Sequence, residues 1–260
     1  MPSQFDPGLF DTFNPISLEE MGKVRLMNRI DTKFVTDLSK IELLLQMVSG
    51  TYLAQQINGF YNMPYYTCYF DTNDVMMFYD HVRGKKTRQK FRIRIYENSE
   101  TPPFLEVKDK NNKGRTKKKR VLMEEGMKLD NYAGFIAKNL KYPLPLLSPM
   151  IENRFNRITL VNPAMSERIT IDTELEFHNF TTENKFKLEN VGIIEWKRDG
   201  RVSSSNLERF LRMLQIHQSG FSKYCIGMAL TNPELRQNRL KPKLRMINKI
   251  NRTSPFINFY

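Results

Sequence analysis

The chain has 260 residues, enough for one large domain or two small ones, and 40% hydrophobic with 27% charged residues is typical of a soluble globular protein. Two cysteines without Cys-x-x-Cys spacing and three histidines exclude a disulfide framework and disfavour a Cys/His metal site. The 41 Lys and Arg exceed the 28 Asp and Glu, and the formal charge of +13 favours an anionic partner: nucleic acid, an anionic membrane surface or a phosphate-rich small molecule.

The first half of the chain is predicted to mix helices and strands. The N-terminus lacks the pattern of a secretion signal, and no apolar run is long enough to cross a bilayer, so we expect a cytoplasmic protein. Ser17 and Glu20 form a capping-box pattern that opens one helix, and Gly50 ends the next. In order, the predicted elements are an extended arm at 1–16, a helix at 16–27, a strand at 28–35, a helix at 37–48, a strand at 65–72 and a short helix at 75–84.

The second half is predicted to be rich in strands. Strands are expected at 90–97, 103–110, 115–123, 152–161, 167–177 and 191–199, with helices at 127–140 and 204–217. Because the links between strands are short, most pairs should be antiparallel. The pattern therefore predicts one α+β domain over 17–232, followed by a basic and irregular tail at 233–260.

Several of these strands alternate a charged face with an apolar face, and the stretch KFRIRIYE at 90–97 does so most clearly. Lys90, Arg92 and Arg94 lie on one face, and Phe91 and Ile93 lie on the other. Like charges on one strand face repel one another, so an anion is expected in front of them. One interpretation is an ordinary sheet with one wet face. The recurrence of Arg and Lys in strand after strand favours a closed, mostly antiparallel β-barrel, with a cationic lumen and helices packed around it.

The order of these motifs resembles that of the VTC domain, the polyphosphate polymerase branch of the triphosphate tunnel (CYTH-like) metalloenzymes. The resemblance covers residues 17–230 and rests on segments that keep the family's order: NRIDTKFV, YFDT, YDHVRGKKTRQKFRIRIYE, FLEVKDK, KKKRV, FNR, RITIDTELEF, IIEWK and FSKY. It implies a barrel in which cations hold ATP, another triphosphate or inorganic polyphosphate. It also implies a divalent metal, Mn²⁺ or Mg²⁺, held by carboxylates.

By position, the resemblance assigns roles to individual residues. The cations expected to act on phosphate in catalysis are Lys33, Arg92, Arg94, Lys108, Arg157 and Arg168. The residues expected to bind substrate are Lys118, Arg120, Ser222, Lys223 and Lys197, and those expected to hold metal are Glu195 and Glu106. Asp172 and Glu174 stay open between offsetting the tunnel charge and binding metal. The chain departs from the family's common pattern at Asp31, where Glu is frequent, and at Phe155, where Tyr is frequent.

These roles predict a polyphosphate polymerase that moves the terminal phosphoryl group of ATP onto a polyphosphate chain inside the tunnel. One alternative is a triphosphate or polyphosphate hydrolase, in which water is the acceptor. Another is a binding module for polyphosphate or RNA without catalysis. We expect no nucleic acid, because few aromatic residues share the charged faces. Export of the product would need a partner in the membrane, and the sequence leaves open whether the basic tail docks on one.

Overall fold

Within the residues described by a computed structural model (5–22, 29–113, 115–200 and 205–252), eleven strands form one curled sheet. The strands are β1 (Asn14–Ile16), β2 (Arg29–Asp37), β3 (Leu53–Gln55), β4 (Met63–Thr72), β5 (Arg88–Tyr96), β6 (Phe104–Lys110), β7 (Thr116–Leu122), β8 (Leu147–Val161), β9 (Glu167–Asn179), β10 (Lys185–Leu188) and β11 (Val191–Asp199). The α-helices are α1 (Leu18–Met21), α2 (Leu38–Val48), α3 (Met76–Val82), α4 (Ala133–Asn139), α5 (Asn206–Met213), α6 (Lys223–Thr231) and α7 (Lys241–Arg252). The fold is therefore α+β, as the sequence predicts.

The sheet follows the strand order β2-β11-β9-β8-β4-β5-β6-β7, and every pair along this path is antiparallel. In the described residues no backbone pairing joins β2 to β7, and the predicted antiparallel barrel has the form of a curled half-barrel. Another segment of the chain occupies the edge of β2 that does not pair with β11. The Ser219 N–H donates to the Lys33 carbonyl at 2.8 Å, and Phe34 forms a β-bridge with Gln218.

Helices cover the convex face of the sheet in two places. One layer combines α2, α5 and the N-terminal arm, whose Phe5 and Phe10 are buried in the same cluster as Ile171 of β9 and Ile194 of β11. The arm is not simply extended, because it contains a 3-10 helix at Pro7–Thr12 before β1. In the second layer, α4 packs on β5 and β6. Burial of these apolar strand faces against helices supplies the main stabilisation of the curled sheet.

The concave face is divided between an apolar core and a cavity. Helices α3, α6 and α7 pack over the apolar part, where Tyr224 and Ile247 are fully buried with Tyr69 of β4. The tail was expected to be irregular, and this is wrong for α7, because Ile247 packs into the core with Leu244 and Ile250 beside it. No helix in the described part of the chain is both long and apolar enough to span a membrane.

Local sequence signals account for several element ends. The predicted capping box of Ser17 and Glu20 is present at α1, although the predicted helix at 16–27 continues into residues 23–28, which lie outside those described. Asp37 caps α2 by accepting the Lys40 N–H at 2.9 Å. Asp71 is buried at the end of β4 and accepts the N–H groups of Met77 and Phe78 at 2.9 Å each, which fixes the start of α3.

Candidate anion-binding cavity

The concave face holds a cavity of about 1530 Å³ whose lining is strongly cationic. Seventeen Lys and Arg line it against three carboxylates, so an electrostatically neutral cavity requires an anionic occupant. Of the residues predicted from the sequence, those that line it are Lys33, Arg92, Arg94, Lys108, Lys118, Arg120, Arg157, Arg168, Glu195, Lys197, Ser222 and Lys223. The structure thus gathers the predicted cations in one cavity.

The two-residue period of the strands places these side chains on one face, and the strand register arranges them in rows. Lys90 pairs with Lys108, which pairs with Lys118, so three lysines from β5, β6 and β7 lie side by side. Such a row repels itself. Arg92 pairs with Glu106, which pairs with Arg120, so the adjacent row is broken by one carboxylate.

Glu106 is the predicted site residue that does not line the cavity. It is fully buried beneath Arg92, whose Nε donates to its carboxylate at 2.8 Å and whose Nη2 donates at 2.5 Å. Lys118 Nζ lies 3.3 Å from the other oxygen. Burial alone would raise the pKa of Glu106, but Arg92, Arg94 and Lys118 lower it to about 2. Glu106 thus lies where it orients Arg92, and its role as a metal ligand stays a prediction.

Asp172 holds two further cations at the edge of the cavity. Arg157 donates to it from Nε at 2.5 Å and from Nη2 at 2.8 Å, a two-pronged pair, and Lys223 Nζ forms a second ion pair with the same carboxylate. Burial would raise the pKa of Asp172, but Arg157 and Lys223 hold it below its ordinary value. For Lys223 burial dominates and lowers the pKa to about 7 in spite of Asp172. Two cations are thus paired with the single carboxylate of Asp172.

Of the two residues that the sequence predicts as metal ligands, Glu195 is the one that lines the cavity. One of its oxygens lies 2.9 Å from Lys197 Nζ, and it faces Lys33 across the β11–β2 pair. Its side chain is 20% exposed, compared with 4% for Asp172, so it has an oxygen free to face the cavity. Burial would raise the pKa of Glu195, but Lys33, Lys197 and Lys108 lower it well below the ordinary value.

A metal fits this site only together with a phosphate. The described residues contain no group of three His, Cys, Asp or Glu side chains that could hold a metal ion by themselves. Mg²⁺ is commonly held by one or two carboxylates, with substrate phosphates and water as its remaining ligands. Glu195 can offer one such carboxylate. The phosphates would also offset the repulsion between a bound metal ion and the neighbouring lysines.

Eleven cations that line the cavity form no ion pair with a carboxylate within the described part of the chain: Lys33, Arg88, Lys90, Arg94, Lys108, Lys110, Lys113, Arg115, Arg120, Arg168 and Lys243. The positive charge of Arg92 is the main cause that lowers the pKa of Lys108 well below its ordinary value, and burial is the next. Burial lowers the pKa of Arg94, and Arg92 and Arg157 lower it further. Arg168 Nε is buried without a hydrogen-bond partner. Each of these cations would therefore gain from an anion, and phosphate oxygens match the donors of Arg.

The loop before α6 brings main-chain and side-chain groups into the cavity. Lys33 Nζ donates to the Phe221 carbonyl at 3.2 Å, and Lys90 Nζ donates to Ser222 Oγ at 2.7 Å. Ser222 Oγ also caps α6 by accepting the Cys225 N–H at 3.3 Å. Both acceptor positions of this hydroxyl are then used. Ser222 therefore lines the cavity beside Lys90, and its expected role as a hydrogen-bond donor stays a prediction.

Seven lining cations were not assigned a role from the sequence: Arg29, Arg88, Lys90, Lys110, Lys113, Arg115 and Lys243. The alternation in β5 and β6 already placed Lys90 and Lys110 on the charged faces, and the same period extends to Arg88. Lys243 had no comparable signal, because α7 lies far along the chain in a segment without a strand pattern.

Comparison with known proteins agrees with the motif order. The family model of the VTC domain matches residues 28–232, and the chain therefore belongs to the VTC domain family. No curated protein sequence matches the chain significantly. Among solved structures, a candidate adenylate cyclase from Bacillus halodurans is 14% identical, with a TM-score of 0.47 over 75% of this chain and 96% of that one. The PH1819 protein from Pyrococcus horikoshii is 13% identical, with a TM-score of 0.44 over 78% of this chain and 98% of that one.

Proposed function

We propose that the protein is a metal-dependent polyphosphate polymerase, which transfers the terminal phosphoryl group of ATP to the end of an inorganic polyphosphate chain. One observation carries the proposal: in a member of the VTC domain family, a single cavity is lined by eleven cations that form no ion pair with a carboxylate of the described residues. A linear phosphate polymer can contact many of these cations at once, because it carries a charge at every unit. The elongated row from β5 to β7 and the cations on β9 and β11 suit such a ligand.

In this proposal the side chains that line the cavity position the phosphates and offset their charge. Arg94, Arg168 and Lys108 bind phosphate oxygens. Arg157 is held in a fixed orientation by Asp172, and Arg92 is held in the same way by Glu106. A terminal oxygen of the polyphosphate attacks the γ-phosphorus of ATP, the bond from that phosphorus to the bridging oxygen breaks, and ADP leaves with that oxygen. No covalent enzyme intermediate is required.

Glu195 would hold Mg²⁺ or Mn²⁺ on phosphate oxygens near Lys33 and Lys197. A bound metal would supply positive charge that stabilises the phosphoryl group during transfer. Lys33 and Lys197 keep Glu195 ionised, since they lower its pKa. A substitution that removes the charge of Glu195 therefore tests the role of the metal and leaves the Lys and Arg side chains of the cavity unchanged.

The test is to incubate the purified protein with ATP and Mn²⁺ and to separate the products on a polyacrylamide gel. A ladder of polyphosphate supports the polymerase, and free phosphate without a ladder indicates a hydrolase that uses water as acceptor. Neither product, together with tight polyphosphate binding, indicates a binding module. Competition by RNA for that binding would reveal a nucleic-acid partner.

The variant Glu195→Gln should lower turnover by about 100-fold or more, because a metal contributes several kcal/mol and each ~1.4 kcal/mol is tenfold in rate. Polyphosphate binding by this variant should persist, since the cations stay in place. Glu97→Gln is the matched control, because Glu97 pairs with Arg154 on the exposed surface away from the cavity. Normal turnover by Glu195→Gln would contradict the assigned metal ligand.

A further inference from the structure

One end of the cavity is built from cations outside the predicted site. Lys90, Arg88, Lys243 and Lys110 all lie close enough to the ring of His81 to act on its charge. They come from β5, from the end of β6 and from α7, and each lines the cavity. We call these four cations the α7 end. None of them forms an ion pair with a carboxylate within the described residues.

Three lysines of different elements converge on the loop that caps α6. Lys33 from β2 contacts the Phe221 carbonyl, and Lys90 from β5 contacts Ser222 Oγ, as described above. Lys243 from α7 reaches the same loop, where its Nζ lies 3.4 Å from the position that a Cβ on Gly220 would occupy. Burial lowers the pKa of Lys243, with Lys33 adding to the effect. The three ammonium groups and the N-terminus of α6 thus face one region of the cavity.

His81 adds an unused polar atom to this region. Its Nδ1 is buried without a hydrogen-bond partner among the described residues. Burial and then the four neighbouring cations lower the pKa of His81 to about 2, so the ring is neutral and keeps one N–H donor. A buried polar atom without a partner is unusual in native proteins. A phosphate bound beside this ring would offset the charge of the four neighbouring cations.

Distance separates Arg88 of the α7 end from Arg94, which the sequence predicts as a phosphate contact. Arg88 and Arg94 lie on the same face of β5, six residues apart, which corresponds to about 20 Å along the strand. Three linked phosphates are shorter than this, so a triphosphate that contacts Arg94 leaves Arg88 without an anion. A longer phosphate chain along the same face contacts both ends.

We infer that the α7 end is a second phosphate subsite, which holds the continuing part of a polyphosphate chain while Arg94 and Arg168 hold the reacting end. This deepens the proposed function and rests on it. The α7 helix lies beyond residues 28–232, so this subsite joins a family domain to a segment outside the family match. Lys243 is its distinguishing residue, because it is the cation that α7 contributes to the lining.

The experiment measures binding of polyphosphate of about 60 units and of tripolyphosphate to the full chain, with Lys243→Ala, Lys243→Arg and Arg245→Ala. Arg245 is the matched control, since it is an exposed cation on the same helix that does not line the cavity. Lys243→Ala should weaken binding of the long chain about tenfold and leave tripolyphosphate affinity unchanged, which also shows that the variant is folded. Lys243→Arg should restore long-chain affinity, and Arg245→Ala should match the unaltered protein.

The salt dependence gives an independent readout. Loss of one phosphate contact should lower the slope of log affinity against log salt by about 0.7 for the long chain only. Equal loss for both ligands, or loss for neither, overturns the subsite. A similar loss for an RNA of matched charge overturns its assignment to polyphosphate. These results concern binding alone, so a wild-type protein that makes no polyphosphate ladder would refute the polymerase while this inference is judged separately.

Discussion

Substitution of Asp172 by Asn tests whether the paired carboxylates hold the cationic cavity together. Asp172 is 3% exposed, and its two oxygens accept from both Arg157 and Lys223. Removal of one partner from a buried ion pair costs about 3–5 kcal/mol, because the remaining charges lose their compensation. For a chain of this length, about 2 °C per kcal/mol gives a fall in Tm of about 6–10 °C. Urea and thermal unfolding without phosphate should show this loss.

A control on the same strand separates burial from charge. Glu176 also lies on β9 and pairs with Lys187, but these side chains are 49% and 51% exposed. Glu176→Gln should therefore cost less than about 1 kcal/mol, as surface pairs usually do. Tripolyphosphate should recover part of the stability that Asp172→Asn loses, since a bound anion replaces the missing carboxylate. If both variants unfold within about 1 kcal/mol of the unaltered protein, the claim that Asp172 compensates buried charge is refuted.

Further predictions concern pH and packing. Because burial lowers the pKa of Lys223 to about 7, the unliganded folded protein binds fewer protons than the unfolded chain above pH 7, so its stability should rise toward pH 10. Polyphosphate binds the protonated form of Lys223, so the affinity of the protein for polyphosphate should fall from pH 7 to pH 9. In the Lys223→Arg variant this affinity should depend less on pH. An equally steep fall in the variant would exclude Lys223 as the cause of the pH dependence. Gly227→Ala should lower the free energy of unfolding by about 1–3 kcal/mol in chemical denaturation, because the new Cβ would lie 2.4 Å from the Phe177 ring. Gly134→Ala has open space around it and should stabilise α4 by about 0.5–1 kcal/mol. An unchanged stability of Gly227→Ala would contradict the close packing of α6.

The strand faces were predictable because their period is short and local. Alternation alone placed Arg92, Arg94 and Lys108 on one side of β5 and β6, and the cavity contains all three. The family match over residues 28–232 confirms the resemblance that the motif order carried. Such patterns need only neighbouring residues in the chain, so a single sequence contains them.

Partners at long range were not predictable in the same way. The sequence does not indicate that Asp172 pairs with Lys223 across 51 positions, or that Glu106 lies beneath Arg92 instead of facing the cavity. The helical tail was missed because few apolar residues mark α7, and only contact with the core reveals why Ile247 is buried. The contact at the edge of β2 was not predictable for a related reason, since the segment that occupies this edge comes from nearly two hundred residues later.

The open half-barrel leaves β7 with a hydrogen-bonding edge that no described strand covers. Such an edge invites addition of a strand from another molecule. Here the residues at that edge are Lys117, Lys118, Lys119 and Arg120, all exposed, so a second copy would bring an identical row of positive charge against them. The lysine-rich edge therefore opposes self-association through β-pairing, and the same charges that attract phosphate on one side protect the sheet from aggregation on the other.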